Sequence, residues 1–412
     1  MKKVFCFVLF LFCLTGDLLC SQREKSLFNP EMANSPVIQE IFLFIEKNKE
    51  KIIDEWIYLT EIPAPSGHEE KRAQYIKKEF EALGLDKVHT DSSGNVIGIW
   101  KGTDQGQKII IAAHLDTVFQ DLWDIKVERK GNLLKAPGIG DDTAGLINLL
   151  WTIRALKNAG FKPDNNYYFI ATVGEELGMV GMRAFMDSTQ EKFDLVIAID
   201  VWLGEVLYGA LGIHGRKIIF SGPGSHTMSS KNTPNPNLAV AKAVEQVYQI
   251  QVPSEPPEKW AIINVGMIQG GKVTNAVSQE SFFTVDIRAV DQGELARIIK
   301  LVEKVSEEVA AETGVQLKYE VFENSKAAQI PGARDSFLVK TTMDILEFLG
   351  VEKIELSAQG TTDASMGLEK GILSICIGRT YGKYNHTLEE ESEIDGLFVA
   401  MKQILLLIYC LT

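Results

Sequence analysis

Three unbroken apolar runs, each leading into histidine or acid, constrain this chain more than any other feature. IIIAA runs into His114, YYFIATV runs through Gly174 into Glu175 and Glu176, and LVIAI runs into Asp200. A strand that is apolar without alternation has to be covered on both faces. The segments between them read as helices, above all residues 143–159, a long apolar stretch stopped at Gly160. Strands of this kind alternating with helices predict an α/β domain with a mostly parallel sheet and helices on both faces. In open sheets of that type, ligands bind beyond the carboxyl ends of the strands, where these polar residues stand.

The remaining chain divides by rhythm. Residues 38–60 and 73–83 read as helices, separated by the loop Pro63-Ala64-Pro65-Ser66-Gly67. From 216 onward the order is strand 216–221, helix 237–250, strands 261–268 and 280–289, helix 293–313 and strand 316–322. That β-α-β-β-α-β order is ferredoxin-like. Helix 336–349, strand 371–377 and helix 393–411 then resume the first pattern. The expectation is an α/β domain over 36–207 and 324–412, interrupted at 208–323 by an inserted α+β domain of about 115 residues.

Residues 1–20 stand apart. Lys2 and Lys3 precede an apolar run from Val4 to Leu14, broken by Thr15, Gly16 and Asp17. A charged start followed by a short apolar run predicts a signal peptide and an exported protein, periplasmic or membrane-anchored. Cys20 is a candidate for a lipid anchor, although Asp17 and Leu19 fit a bacterial lipoprotein box badly. Residues 21–35, polar and irregular, read as a tether. The formal net charge of -13 argues against a nucleic-acid partner, which needs clustered Lys and Arg. The five cysteines show no metal-type pairing and no disulfide framework, so cysteine chemistry is not where the function lies.

The chemistry sits in four motifs at strand ends and one late histidine. In His114-Leu115-Asp116 the first and third residues of an extended chain point the same way, so the aspartate can accept one ring N–H while the other nitrogen binds a metal. Alone, the pair is more readily a hydrogen-bonded surface pair. In Gly138-Ile139-Gly140-Asp141-Asp142, opening helix 143–159, an aspartate is an N-cap or a carboxylate reaching two metals. Glu175 and Glu176 are adjacent and face opposite directions, so one can ligate and the other act as base. Asp200 closes its strand and His386 follows Gly378 and Tyr381 in a later loop. Histidine nitrogen with carboxylate oxygen is the donor set of catalytic zinc.

At these motifs the chain resembles the zinc-dependent exopeptidase and amidohydrolase family of peptidase T, carnosine-type dipeptidases, glutamate carboxypeptidase and aminoacylase. The stretches that carry the resemblance are AHLDTV, GIGDDTAG, TVGEELGMVG, VIAID, SGPGSHT, GGKVTNAV, VDIRAVD and GTTDA, with His386 after them. It implies two divalent metal ions, zinc or in its place cobalt or manganese. His114 and Asp200 would hold one, Glu176 and His386 the other, with Asp141 shared, Asp116 behind His114 and Glu175 as general base. The inserted domain would be a lid and dimerisation domain. Its His226 would reach the active site of a homodimer partner, Arg288 would grip a substrate carboxylate, and Asn275 would lie near the substrate; Thr361 would do so from the GTTDA loop.

The chain departs from the family pattern at Thr143, where many members have lysine, and at Ser278, where many have proline. Neither is a proposed ligand, and both leave the substrate open. Asp200, rather than glutamate, points toward the peptidase T and dipeptidase branches, hence an aminopeptidase or di/tripeptidase acting on short peptides. An N-acyl amino acid deacylase or carboxypeptidase would use the same chemistry. A non-catalytic binding protein on the same fold is the alternative of another class.

Overall fold

The computed structural model describes residues 25–412, which form two units: one ends at Tyr208 and resumes at Ile330, the other is Gly209–Gln329. The expected signal peptide and Cys20 lie outside the described residues.

The first unit is built on an eight-stranded sheet. From one edge the strands are Lys87–Thr90, Val96–Trp100, Asn166–Thr172, Lys108–His114, Leu195–Trp202, Leu373–Thr380, Glu205–Leu207 and Glu355–Ser357. The four central strands are parallel, with His114 opposite Thr172, Ala112 opposite Ala198 and Ile377 opposite Ile199. Their carboxyl ends therefore finish side by side. Successive side chains on a strand face opposite ways, and the strand 108–114 shows the result. Ile109, Ile111 and Ala113 join one buried cluster, with helices Pro36–Lys47, Lys49–Thr60, Thr143–Asn158 and Ile394–Cys410. Ile110 and Ala112 join another on the opposite face, with Met182 and Phe185 of helix Val180–Ser188. Both faces are dry, which is why the run IIIAA has no polar alternation.

Helix Thr143–Asn158 comes close enough to the sheet to require a glycine. A Cβ on Gly145 would lie 2.5 Å from the Ile199 carbonyl oxygen. A small antiparallel sheet of Gly382–Lys383, Glu391–Glu393, Leu133–Lys135 and Glu128–Lys130 brackets the loop that carries His386.

The second unit is a four-stranded antiparallel sheet, in the order Ala261–Gly270, Glu280–Ala289, Gly212–Ser221, Gln316–Ser325. Helices Pro236–Val247 and Gln292–Thr313 pack on it around Phe220, Phe283, Val285, Ile298 and Val302. This is the β-α-β-β-α-β order read from the sequence.

Two expectations are corrected. The single helix over 38–60 is two helices, Pro36–Lys47 and Lys49–Thr60. The break is at Asn48, whose side-chain amide donates to the Phe44 carbonyl at 2.8 Å while its own carbonyl accepts from Ile52. One residue thus closes one helix and opens the next, while the apolar pattern runs on through it. The tether is the other. Among its described residues Ala33 is fully buried, Phe28 and Met32 pack on the main core, and Pro30–Ala33 is a helical turn capped by Asn29.

Trp56, on helix Lys49–Thr60, is fully buried and its indole N–H donates to the Ile139 carbonyl at 2.8 Å. It thereby fixes the loop that carries Asp141. Trp56→Ala should lower stability by about 3–5 kcal/mol, through the lost volume and the orphaned carbonyl. Denaturant unfolding followed by tryptophan fluorescence and far-UV dichroism checks this; a loss below about 1 kcal/mol would show that the site loop does not depend on this helix.

Candidate metal centre

His114 ends its strand with a side chain 1% exposed. Its Nε2 lies 2.9 Å from Asp141 Oδ1 and 3.4 Å from Asp200 Oδ1. Behind the ring, Nδ1 is 3.4 Å from Asp116 Oδ1. Asp116 is fully buried and accepts from the Ser66 hydroxyl at 2.7 Å, the Glu175 N–H at 3.0 Å and the Glu176 N–H at 3.2 Å. One carboxylate therefore ties three loops together behind the ring of His114. Glu69 adds a further tie, taking the N–H groups of Gly67 and Gly174 on one oxygen.

The two aspartates that open helix Thr143–Asn158 divide their work. Asp142 is the helix cap: one oxygen accepts from Gly145 N–H at 3.1 Å, the other from the backbone N–H of His114 at 2.9 Å. Asp141 is left to face the cluster. Its loop is held from far along the chain by Glu390, whose two oxygens accept the N–H groups of Gly138, Gly140 and Asp141 at 2.8–2.9 Å.

Asp141 offers one oxygen to each of two donor groups. Oδ1 faces His114, beside Asp200; Oδ2 lies 3.1 Å from His386 Nε2, beside Glu176. Within each group the three donor atoms lie within 4.8 Å of one another. His386 reaches this position from a left-handed backbone, φ 61°, and its side chain is half exposed. Glu175 is buried within electrostatic reach of Asp200, His114 and Asp363, and Asp363 Oδ2 accepts from the Thr172 hydroxyl at 2.5 Å. The guanidinium of Arg379, fully buried, donates to Asp200 Oδ1 at 2.6 Å.

The electrostatics are those of a site short of positive charge. Burial, then the charge of Asp200, push Glu175 well above the usual carboxylate range. Burial raises Asp142 strongly too, against the pull of His114, and raises Glu176 against the pull of His386 beside it. Asp363 is pushed up to about 7, again mainly by burial. Asp141 goes the other way: burial opposes ionisation, but Arg379 and the two histidines outweigh it. Like charges packed in a dry site repel unless cations join them.

The orphaned atoms point the same way. Glu176 Oε1 is 3.1 Å from His386 Nε2, yet it is a buried oxygen with no hydrogen-bond donor. Both atoms belong to the donor group that also includes an oxygen of Asp141. The nitrogen and carboxylate donors present fit divalent cations at two adjoining positions that share Asp141.

The structure thus brings together His114, Asp116, Asp141, Glu175, Glu176, Asp200 and His386. Thr361 is exposed, while its neighbours Thr362 and Asp363 are buried. His226, Asn275 and Arg288 belong to the second unit. His226 is exposed and its Nδ1 accepts the Met228 N–H at 3.2 Å; Asn275 is exposed and its carbonyl accepts from Thr227. Arg288 forks onto Asp286 of its own strand at 3.1–3.2 Å, so its guanidinium already has a carboxylate partner.

Sequence reasoning missed Arg379, Glu390 and Ser66. Arg379 carried one signal, a lone charge inside the apolar run that ends at Thr380. Glu390 carried none, because it sits among the acids of LEEESE.

The chain matches the pattern of peptidase family M20/M25/M40 over residues 110–409. YqjE of Bacillus subtilis is 23% identical over 377 residues, covering 88% of this chain and 98% of that protein. The N-formyl-4-amino-5-aminomethyl-2-methylpyrimidine deformylase of Halalkalibacterium halodurans is 24% identical over 420 residues, covering 90% and 97%. Among solved structures, a tripeptidase from Staphylococcus aureus superposes with a TM-score of 0.78 at 23% identity, covering 88% of this chain and 98% of that one. At such identities the structural likeness speaks for the fold, and the family pattern covers most of the chain, including every residue of both donor groups. The chain therefore belongs to peptidase family M20/M25/M40.

Proposed function

We propose that this chain is a two-metal hydrolase that cleaves amide bonds of short peptides, as an aminopeptidase or di- or tripeptidase. The observation that carries the reading is the single carboxylate of Asp141, which serves two donor groups with Glu175 buried beside them. His114 and Asp200 would hold one cation, Glu176 and His386 the other, and Asp141 would belong to both. When bound, two divalent ions, zinc or in its place cobalt or manganese, polarise the scissile carbonyl and lower the pKa of the attacking water.

The protein's own groups do the rest. Glu175 takes a proton from the attacking water on its carboxylate and hands it to the leaving nitrogen, so that an amine departs and not an amide anion. Asp116 keeps the His114 ring in the tautomer with the proton on Nδ1. His226 of the second unit donates to the developing oxyanion. Its Nδ1 is occupied as an acceptor by the Met228 N–H, which leaves Nε2 to carry the proton. In this reading His226 acts across a homodimer formed through the second unit, and the protein is exported, with Cys20 as a candidate lipid anchor.

Similarity to a deformylase favours a second reading, an N-acyl deacylase using the same site.

Three outcomes test the proposal. Chelated protein should lose hydrolysis of free di- and tripeptides and regain it with zinc, cobalt or manganese. Cleavage of N-blocked substrates alone would select the deacylase reading; no cleavage by folded, metal-loaded protein would leave a binding protein on this fold. Glu175→Gln should lower kcat by about 10²–10⁴-fold with metal content unchanged; full activity would show that Glu175 is not the base. Asp116→Asn sets an amide among three donors and should weaken metal retention by about 10–100-fold in competition with a chromophoric chelator. Unchanged retention would remove Asp116 from the support of His114.

A further inference from the structure

We propose that Arg379 is a standing counter-cation of the metal centre: it holds the ligand carboxylates together in the metal-free chain and, for the same reason, weakens the grip on the cation nearest Asp200. This rests on reading the cluster as metal-holding, and it concerns what happens to that site when the metal leaves.

The geometry is specific. Arg379 lies on strand Leu373–Thr380 with its side chain fully buried. Nη1 donates to Asp200 Oδ1 at 2.6 Å and also to the Asp200 backbone carbonyl. Nη2 is 3.4 Å from Asp141 Oδ2. One guanidinium therefore touches a ligand carboxylate of the first group and the carboxylate that both groups share. The ring of Trp202 covers it, 4.9 Å from the centroid. The strand backbone is fixed at this residue, because the Asn148 side chain donates to the Arg379 carbonyl at 2.7 Å.

A second buried arginine gives the contrast. Arg72 spends both terminal nitrogens on backbone carbonyls, those of Leu115 and Ile62, and so ties loops together. Both arginines leave Nε orphaned, but Arg379 aims its terminal nitrogens at ligand carboxylates and leaves the donors of Nη2 as well buried without a hydrogen-bond partner. A residue kept for hydrogen bonding would not waste those donors. What Arg379 supplies is charge, in a place no water screens.

Two consequences follow from that placement. With no metal bound, Arg379 offsets the repulsion between Asp141 and Asp200. With a metal bound, like charges face each other across the same carboxylates. The oxygen that Arg379 holds on Asp200 is also the one 3.4 Å from His114 Nε2, so the guanidinium and a cation bound there would share it. Hydrogen bonding that preorganises Asp200 works in favour of the metal, but a full charge at contact distance in a dry site outweighs one preorganised hydrogen bond.

The test uses the full chain in metal-free and zinc-saturated forms. Arg379→Met removes the charge and keeps much of the volume; Arg379→Lys keeps the charge and loses the fork. Thermal midpoints of both forms and zinc affinity by chelator competition are the readouts. For R379M the metal-free midpoint should fall by about 5 °C more than the zinc-saturated one. Its zinc should be held at least about tenfold more tightly than in wild type. R379K should keep a metal-free midpoint within about 2 °C of wild type. Equal falls in both forms, or looser zinc in R379M, would overturn the proposal and leave Arg379 as a structural prop. Should R379M not fold even with zinc, R379K decides alone: a metal-free form close to wild type supports the charge role, and equal losses in both forms overturn it. Wild-type protein that binds no zinc would remove the metal-centre reading and this proposal with it, whereas zinc-binding wild type with an indifferent R379M removes only this one.

Discussion

Carboxylates crowded together out of water are the constraint on which the rest of this structure depends. Asp116, Asp141, Asp142, Glu175 and Asp363 are buried and Glu176 and Asp200 nearly so, all at one end of a parallel sheet. Isolated charges in such a place are prohibitive, so each needs a partner. The fold supplies partners of three kinds. Backbone N–H groups at loop and helix starts serve Asp116 and Asp142. Side-chain cations serve Asp141 and Asp200. What remains unserved, above all Glu176 Oε1, is of the kind that divalent ions suit.

The division of labour between neighbours follows from backbone geometry. Asp141 and Asp142 are adjacent and chemically alike, yet one caps a helix while the other looks into the cluster. Glu175 and Glu176 likewise part company, in a turn whose Glu175 carbonyl accepts the Gly178 and Met179 N–H groups: Glu175 is buried, and Glu176 stands beside His386. A pair of acids at a strand end is thus enough to furnish one group for structure or proton transfer and another for binding. Family membership makes the chain a hydrolase of the peptidase and amidohydrolase kind.

Much of the fold was legible in the sequence because burial on two faces leaves a plain mark. The strands ending at His114, at Thr172 and near Asp200 are runs of apolar residues, and the donor residues follow them directly. The ferredoxin-like unit was legible for the same reason, its helices and strands being long. Short elements were not. The strand Val96–Trp100 went unread, and helix Val180–Ser188 is masked by the glycines around it. The helix break at Asn48 is invisible to a periodicity that continues past it. Within the site, local patterns found every donor, but the groups that hold the donors were hidden. Arg379 and Glu390 act on residues far back in the chain, and contacts at such separations have no signature in a local pattern.

Glu390 and Arg379 have one more consequence, for how the molecule comes into being. The acids from Asp116 to Asp200 leave the ribosome first, and the whole second unit, Gly209–Gln329, follows before Arg379, His386 and Glu390 appear. For that interval the nascent chain carries the acidic half of a centre without the charges and hydrogen bonds that make it tolerable. The first unit can complete its sheet only after strand Leu373–Thr380 arrives to lie beside Leu195–Trp202. Synthesis therefore runs as a bracket: the second unit is free to fold early, and the first unit completes its sheet last. A chain cut short before residue 373 would retain a foldable insert and an acidic sheet that cannot settle.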